Sequence, residues 1–146
     1  LTGHLVLSTV HANDAPGTVT RLIDMGVPRY LVGSAVTLVM AQRLVRRVCE
    51  RCKEGFVAGQ DQVAALGDDA QALVGKRLGG GRGCLVCKQT GYQGRVAVFE
   101  VMELTRPVRR MVIDGLNEDQ IKQKAVGEGL ITLRKAGIQK ILDGIP

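Results

Sequence analysis

The sequence predicts an α/β fold, and three of its features support that prediction. Residues 5–10 begin with a continuous apolar run, which is typical of a short strand buried on both faces of a parallel sheet. A helix start follows directly, because the stretch Asn13-Asp14-Ala15-Pro16 supplies a capping residue and an early proline. Valine alternates with other residues over 95–103, which indicates a further strand.

Length and composition narrow the class of protein. The chain has 146 residues, 45% of them hydrophobic, which is enough for one ordinary core. No stretch approaches the roughly 20 consecutive apolar residues of a membrane-spanning helix, and no signal-peptide pattern is visible, so we expect a soluble chain. The start at Leu1 and the end at Pro146 look like cuts through a longer protein.

Two helices are expected after the first strand. The first begins within the stretch 13–16, carries apolar residues at helical spacing and ends at Gly26. The second, from Pro28 to about Leu44, is apolar almost all round, so we expect it to be buried in the core.

Four cysteines form two C-x₂-C pairs that are separated by 31 residues: Cys49 with Cys52, and Cys84 with Cys87. Two such turns can complete a tetrahedral four-sulfur Zn²⁺ site, and a site with four protein ligands is structural because no position is left for substrate. Disulfide bonds and a redox-active pair are the alternatives. The long separation predicts a small zinc-binding subdomain at 47–95.

The glycine-rich run at 79–83 does not form a phosphate-binding loop. The Walker A pattern is G-x₄-G-K-[S/T], but Gly75 and Lys76 are followed by Arg77, and Ala70 stands where the first glycine belongs. We therefore expect the run to be a flexible approach to the second cysteine pair.

The last part of the chain predicts a small helical bundle that follows the strand at 95–103. Thr105 is placed to start one helix, and Thr132 is placed to start the last. Between them, Asn117 and Gln120 match a capping box for a third helix.

Four stretches of the chain follow a recognisable order around the two cysteine pairs. They are TGHLVLSTVHAND at 2–14, AQRLVRR at 41–47, GYQGR at 91–95 and EGLITLR at 128–134. Together they resemble the secretion ATPases, the P-loop motors of type II secretion and type IV pilus assembly, in which 2–14 is the histidine box. The resemblance covers nearly the whole chain.

The resemblance implies a RecA-like ATPase that is cytoplasmic, homo-hexameric and peripheral to the inner membrane, where it works against a platform protein. ATP and Mg²⁺ would be its ligands in the full-length protein. In the family, the Walker A loop, the aspartate box and the Walker B strand precede the histidine box, and this chain contains none of them. We therefore expect the chain to be inactive in ATP hydrolysis by itself.

Three segments are predicted on this basis. Residues 1–46 are the carboxyl-terminal portion of the RecA-like core, with the histidine-box strand and two helices. Residues 47–95 are the inserted four-cysteine zinc subdomain, and 96–146 are a strand with the helical subdomain. The insertion favours the assembly and secretion branch over the pilus-retraction branch, while type II secretion and pilus assembly stay undistinguished.

Geometry separates the two histidines of the box. If residues 4–11 are extended at about 3.3 Å per residue, the imidazoles of His4 and His11 lie on the order of 20 Å apart and cannot easily bind the same atom within one subunit. Ligands of open parallel sheets bind beyond the carboxyl ends of the strands. We therefore expect His11, with Thr9 beside it, to sense or polarise the γ-phosphate, and His4 to face a neighbouring subunit or the Walker B strand.

Arg21 and Arg43 are candidates for neutralising charge on the transferred phosphoryl group, in trans across a ring interface. A solvated or zinc-supporting role is the alternative for each arginine, and a hydrogen-bonded structural role is the alternative for each histidine.

Two further functions stay open. A basic zinc ribbon that binds nucleic acid would account for the net charge of +6, but only 3% of the residues are aromatic and available to stack on bases, so the preferred interpretation has no nucleic-acid partner. The zinc subdomain is also a candidate interaction platform that couples ATP turnover to the membrane partner.

Overall fold

A computed structural model describes residues 3–64 and 66–145 as a mixture of helices and strands, in agreement with the predicted α/β class. The elements in chain order are α1 (Ala15–Asp24), α2 (Arg29–Ala35), β1 (Leu38–Val48), β2 (Lys53–Val57), α3 (Gln60–Ala64), a 3₁₀ helix (Asp68–Leu73), β3 (Arg77–Gly81), β4 (Tyr92–Glu103), α4 (Arg106–Asp114), α5 (Glu118–Gly127) and α6 (Leu133–Leu142). Strand β1 pairs with β4, and β2 pairs with β3 in antiparallel orientation. Among the described residues, no helix has both the length and the apolar character needed to cross a membrane.

The chain divides into two compact units. The first unit comprises Leu1–Gln42 and Phe99–Thr132, and the second comprises Arg43–Val98 and Leu133–Pro146. The three segments expected from the sequence, 1–46, 47–95 and 96–146, divide the chain at other residues and stay a prediction.

Helices pack around the core of the first unit. Helix α2 lies against α4, and α5 contacts both α1 and α4. The buried core residues are Ala15, Val19, Val32, Val39, Met102, Leu104, Val108, Val112, Ile121, Ala125 and Leu130.

Three helix starts in the first unit follow the local signals in the sequence. Asp14 accepts a hydrogen bond from the backbone N–H of Gly17 at the start of α1, and Thr105 caps α4. Asn117 and Gln120 form both bonds of the predicted capping box of α5. These three predictions are confirmed.

A smaller apolar cluster stabilises the second unit. It consists of Ala58, Val63, Ala70, Leu73 and Leu78. Helix α6 covers this cluster with Ile138 and Ile141, and it contacts the 3₁₀ helix and β3. The last predicted helix is therefore confirmed, and it packs on the apolar cluster of the second unit. The predicted helical bundle stays a prediction.

The predicted strand at 5–10 is wrong. Residues 4–12 have no regular secondary structure, and Leu5, Val6 and Leu7 are 85%, 77% and 89% exposed. A strand requires a neighbour to satisfy its backbone N–H and C=O groups, and no described segment pairs with this one.

The predicted helix from Pro28 to Leu44 is also wrong. Helix α2 ends at Ala35, and β1 begins at Leu38. Periodicity does not separate a buried helix from a strand in an apolar run, and here pairing with β4 decides the outcome. Val39 is buried between two exposed residues, as expected for a strand with one covered face.

The glycine-rich run is a strand and not a flexible approach. Its residues 79–81 belong to β3 and pair with β2, with Gly79 opposite Gly55. A Cβ atom added to Gly81 would lie 1.9 Å from the carbonyl oxygen of Gly91, which is far inside contact distance. Glycine is therefore required where β3 meets the turn after the second cysteine pair.

Candidate functional site

The four cysteines converge on one point in the second unit. Their Sγ atoms all lie within 4.8 Å of one another. The Sγ–Sγ distances are 3.9 Å for Cys49 and Cys84, 3.8 Å for Cys52 and Cys87, and 3.7 Å for Cys84 and Cys87. A tetrahedral ion with Zn–S bonds of about 2.3 Å requires sulfurs about 3.8 Å apart. Three of the six Sγ pairs therefore have the spacing that a four-thiolate zinc site needs, and the other three lie within 4.8 Å.

Backbone hydrogen bonds build this cluster from two turns. The first turn follows β1, where the N–H of Cys49 donates to the carbonyl oxygen of Gly91 at 3.0 Å. In the second turn, Lys88 and Gln89 adopt left-handed backbone angles, with φ of 54° and 64°. After this reversal of the chain, the N–H of Gly91 donates to Sγ of Cys87 at 3.3 Å.

The surroundings of Cys52 and Cys87 shift the pKa values of these two thiols in opposite directions. Burial, with the neighbouring thiols, raises the pKa of Cys52 to about 12. Burial also opposes ionisation of Cys87, but the backbone N–H groups of Cys84 and Gly91 donate to its sulfur and lower its pKa to about 6. Backbone donors of this kind stabilise the thiolate form, which is the form that binds a metal.

A shallow pocket of about 170 Å³ lies in the first unit where the histidine box meets α1. Its lining residues are His11, Ala12, Asn13, Gly17, Thr20, Arg21, Asp24 and Glu118. The structure thus brings together two of the residues predicted to contact nucleotide, His11 and Arg21.

The other candidates do not line this pocket. His4 and Thr9 are exposed residues of the irregular segment before α1. Arg43 lies in the part of β1 that belongs to the second unit. The roles expected for these three residues stay predictions.

Two charged residues beside the pocket were not predicted from the sequence. Glu100 of β4 is 1% exposed, and its Oε1 accepts a hydrogen bond from the N–H of Ala15 at 2.8 Å. Lys122 of α5 donates from Nζ to Oδ2 of Asp14 at 2.6 Å. The first turn of α1 is therefore held by a buried carboxylate on one element and by an ion pair from another.

The ion pair shifts the acidities of both partners. Burial acts to raise the pKa of Asp14, but the hydrogen bonds from Lys122 and Gly17 outweigh it, and the pKa is lowered. The hydrogen bond to Asp14 raises the pKa of Lys122 despite its partial burial, and the charges of Glu100 and Glu118 act in the same direction. Both groups are therefore held in their charged forms.

A sequence signal for Glu100 did exist. Val98, Glu100 and Met102 are buried at every second position of β4, so the alternation places a carboxylate on the covered face of the strand. A charged group in such a position must have a partner. No comparable signal marks Lys122, since its partner is 108 positions away in the chain.

Comparison with known proteins places the chain among secretion and pilus proteins. The family model described as "Type II/IV secretion system protein" matches residues 1–146. The chain is 41% identical to the type IV pilus assembly ATPase PilB of Myxococcus xanthus, covering 99% of this chain and 26% of that protein. It is 42% identical to the putative type II secretion system protein E of Escherichia coli, covering 99% of this chain and 29% of that protein.

A third relative, the PilB ATPase of Thermus thermophilus, is 41% identical over 99% of this chain and 16% of its own length. The chain thus spans about a quarter or less of the length of several curated relatives that it matches. Since the family model covers every residue, the chain belongs to the type II/IV secretion system protein family.

Proposed function

We propose that this chain is the carboxyl-terminal part of a cytoplasmic, homo-hexameric ATPase that powers type II protein secretion or type IV pilus assembly. The observation that carries the proposal is the match of 99% of the chain to proteins named as pilus assembly ATPases and type II secretion proteins. In this interpretation, residues 1–46 complete a RecA-like domain whose nucleotide-binding loops lie outside this chain.

The pocket at the start of α1 is the proposed contact with ATP. Arg21 can neutralise negative charge on the phosphates, and the His11 imidazole can donate a hydrogen bond to them or polarise the γ-phosphate. Thr9 keeps its expected role beside His11, and His4 its expected contact with a neighbouring subunit or the Walker B strand. Arg43 keeps its expected role in trans across the ring interface. ATP bound with Mg²⁺ would supply the phosphoryl group and the metal.

Steady-state ATP hydrolysis tests this function. The full-length protein that contains this chain should hydrolyse ATP in the presence of Mg²⁺, and the 146-residue chain should not, because it lacks a Walker A sequence. Absence of hydrolysis by the full-length protein contradicts the proposed function. Hydrolysis by the short chain contradicts the proposal that the phosphate-binding loop lies elsewhere.

We propose further that the cysteine cluster binds one structural Zn²⁺ per chain. The sulfur spacing of 3.7 to 3.9 Å supports this proposal, and four thiolates leave no coordination position for a substrate. Metal analysis should find one zinc per chain, and Cys52→Ser should lower the zinc content and the stability. Val86→Ser, at an exposed position between two of the ligands, is the matched control and should keep one zinc.

The charge distribution supports a contact between the second unit and a membrane-associated partner. The second unit contains 13 Lys and Arg residues against 6 Asp and Glu residues, a net +7, whereas the first unit contains 7 against 8, a net −1. Four thiolates with one Zn²⁺ lower the net charge of the second unit by two, to +5. A basic second unit would suit an acidic surface on a protein partner, and the inner-membrane platform protein is the partner that we propose.

The same charge favours one alternative function, a zinc-ribbon module that binds nucleic acid. A mobility-shift measurement at physiological salt separates the two: retarded DNA or RNA favours the alternative, and unretarded nucleic acid favours the protein partner. The platform role of the zinc subdomain is contradicted if Cys52→Ser leaves both folding and partner binding intact.

A further inference from the structure

We propose that Lys122 and Glu100 are positioning residues for the His11 segment, because they anchor the first turn of α1 from two different elements. The proposal rests on the proposed function, since it assigns both residues to the same nucleotide-facing pocket. Neither residue lines that pocket, so both would act through the backbone of residues 11–17.

The contact of Lys122 is partly shielded from water. Its Nζ lies 2.6 Å from Oδ2 of Asp14, whose side chain is 13% exposed, against 39% for Lys122. The other carboxylate oxygen of Asp14 accepts from the N–H of Gly17 at 2.9 Å. One lysine thus fixes the capping residue of α1, which lies three positions after His11. Shielded pairs with this geometry hold a side chain more firmly than exposed surface pairs do.

Glu100 anchors the next residue. Its carboxylate is 1% exposed and accepts from the N–H of Ala15, one of the free donors in the first turn of α1. A negative charge at this end of a helix is favourable. Loss of Lys122 would therefore remove the ion-pair partner of Asp14, whose carboxylate caps α1 beside the residue that Glu100 anchors.

The pocket depends on this arrangement because its walls come from three segments of the chain. His11 and Arg21 line it from the histidine box and α1, while Glu118 lines it from α5, the helix that carries Lys122. The bond between Lys122 and Asp14 ties these walls together. Without that bond, the His11 segment can move relative to α5, and His11 loses its defined position.

The test uses Lys122→Met in the full-length protein, since methionine keeps the apolar stem and removes the charge. We expect faster backbone hydrogen exchange in residues 11–18 and a fall in kcat of about tenfold, with KM for ATP and zinc content nearly unchanged. Lys122→Arg should restore slow exchange and most of kcat, which a purely structural loss of packing would not explain.

Lys124→Met is the matched control. Lys124 lies on the same helix and also forms an ion pair, with Glu128 at 3.1 Å. Among the described residues, it has no hydrogen bond or ion pair with residues 11–17. It should therefore leave both exchange and kcat unchanged.

Three outcomes decide the matter. Wild-type exchange in residues 11–18 of Lys122→Met overturns the inference, and so does faster exchange that leaves kcat unchanged. If the wild-type protein does not hydrolyse ATP, the proposed function fails. The exchange measurement by itself still decides in that case whether Lys122 holds the His11 segment.

Discussion

Replacing Gly81 with alanine should destabilise the second unit and weaken its zinc site. The added Cβ would lie 1.9 Å from the carbonyl oxygen of Gly91 and 2.5 Å from its carbonyl carbon. Since non-bonded heavy atoms need about 3.5 Å, the two backbones would have to separate by about 1.5 Å. Gly91 donates to Sγ of Cys87 and accepts from Cys49, so this movement reaches the cysteine cluster.

The expected loss is about 3 kcal/mol, at the upper end of the usual cost of overpacking, because backbone atoms cannot rotate away from the clash. For a chain of this size, that corresponds to a fall in Tm of about 10 °C. Thermal unfolding followed by circular dichroism measures the fall, and metal analysis measures the zinc retained.

Gly137→Ala is the control for this change. Gly137 lies inside α6, and no atom would lie within 4 Å of its added Cβ. Alanine there should stabilise the helix by about 0.5–1 kcal/mol. If Gly81→Ala unfolds at the wild-type temperature with its zinc retained, the close approach to Gly91 is refuted.

Three further predictions concern the first unit. Because folding lowers the pKa of Asp14, its carboxylate stabilises the fold at pH values above its pKa in the unfolded chain, which is about 3.9. This stabilisation is lost as the pH falls through the lower pKa of the folded state. In urea unfolding, the stability difference between wild type and Asp14→Asn should be constant above about pH 5 and shrink below about pH 4. In the same assay, Val112→Ala should lower the free energy of unfolding by about 2 kcal/mol, because Val112 is only 1% exposed. Val101→Ala should lower it far less, because Val101 is 48% exposed. Arg109→Met should lower the free energy of unfolding by about 2 kcal/mol, because the Arg109 guanidinium donates to three backbone carbonyl groups. Arg110 is exposed, so Arg110→Met should leave the free energy of unfolding nearly unchanged. Equal losses in the two variants would contradict this.

The features that sequence predicts well here depend on short-range chemistry. A helix cap joins a side chain to a backbone N–H three residues away, so Asp14, Thr105 and Asn117 identify their helices without knowledge of the fold. The cysteine cluster is similar, because two residues between cysteines bring both sulfurs of a turn to one side. The helix caps and the C-x₂-C turns both join residues that are three positions apart, so a short stretch of sequence is enough to recognise them.

The features that sequence does not predict depend on distant partners. The apolar run 28–44 can form a helix or a strand, and pairing with β4 decides between them. Strand β4 begins more than 50 positions after the start of β1. The bond from Ala15 to Glu100 spans 85 positions. For Gly81, the requirement for glycine comes from the backbone of Gly91, which no local pattern reveals.

Turnover of ATP by His11→Ala in the full-length protein tests the central claim most directly. If His11 faces the γ-phosphate, kcat should fall about 100-fold, while the zinc content stays at one per chain. His4→Ala, which changes the other histidine of the box outside the pocket, should reduce kcat less. Unchanged kcat in His11→Ala would contradict the account.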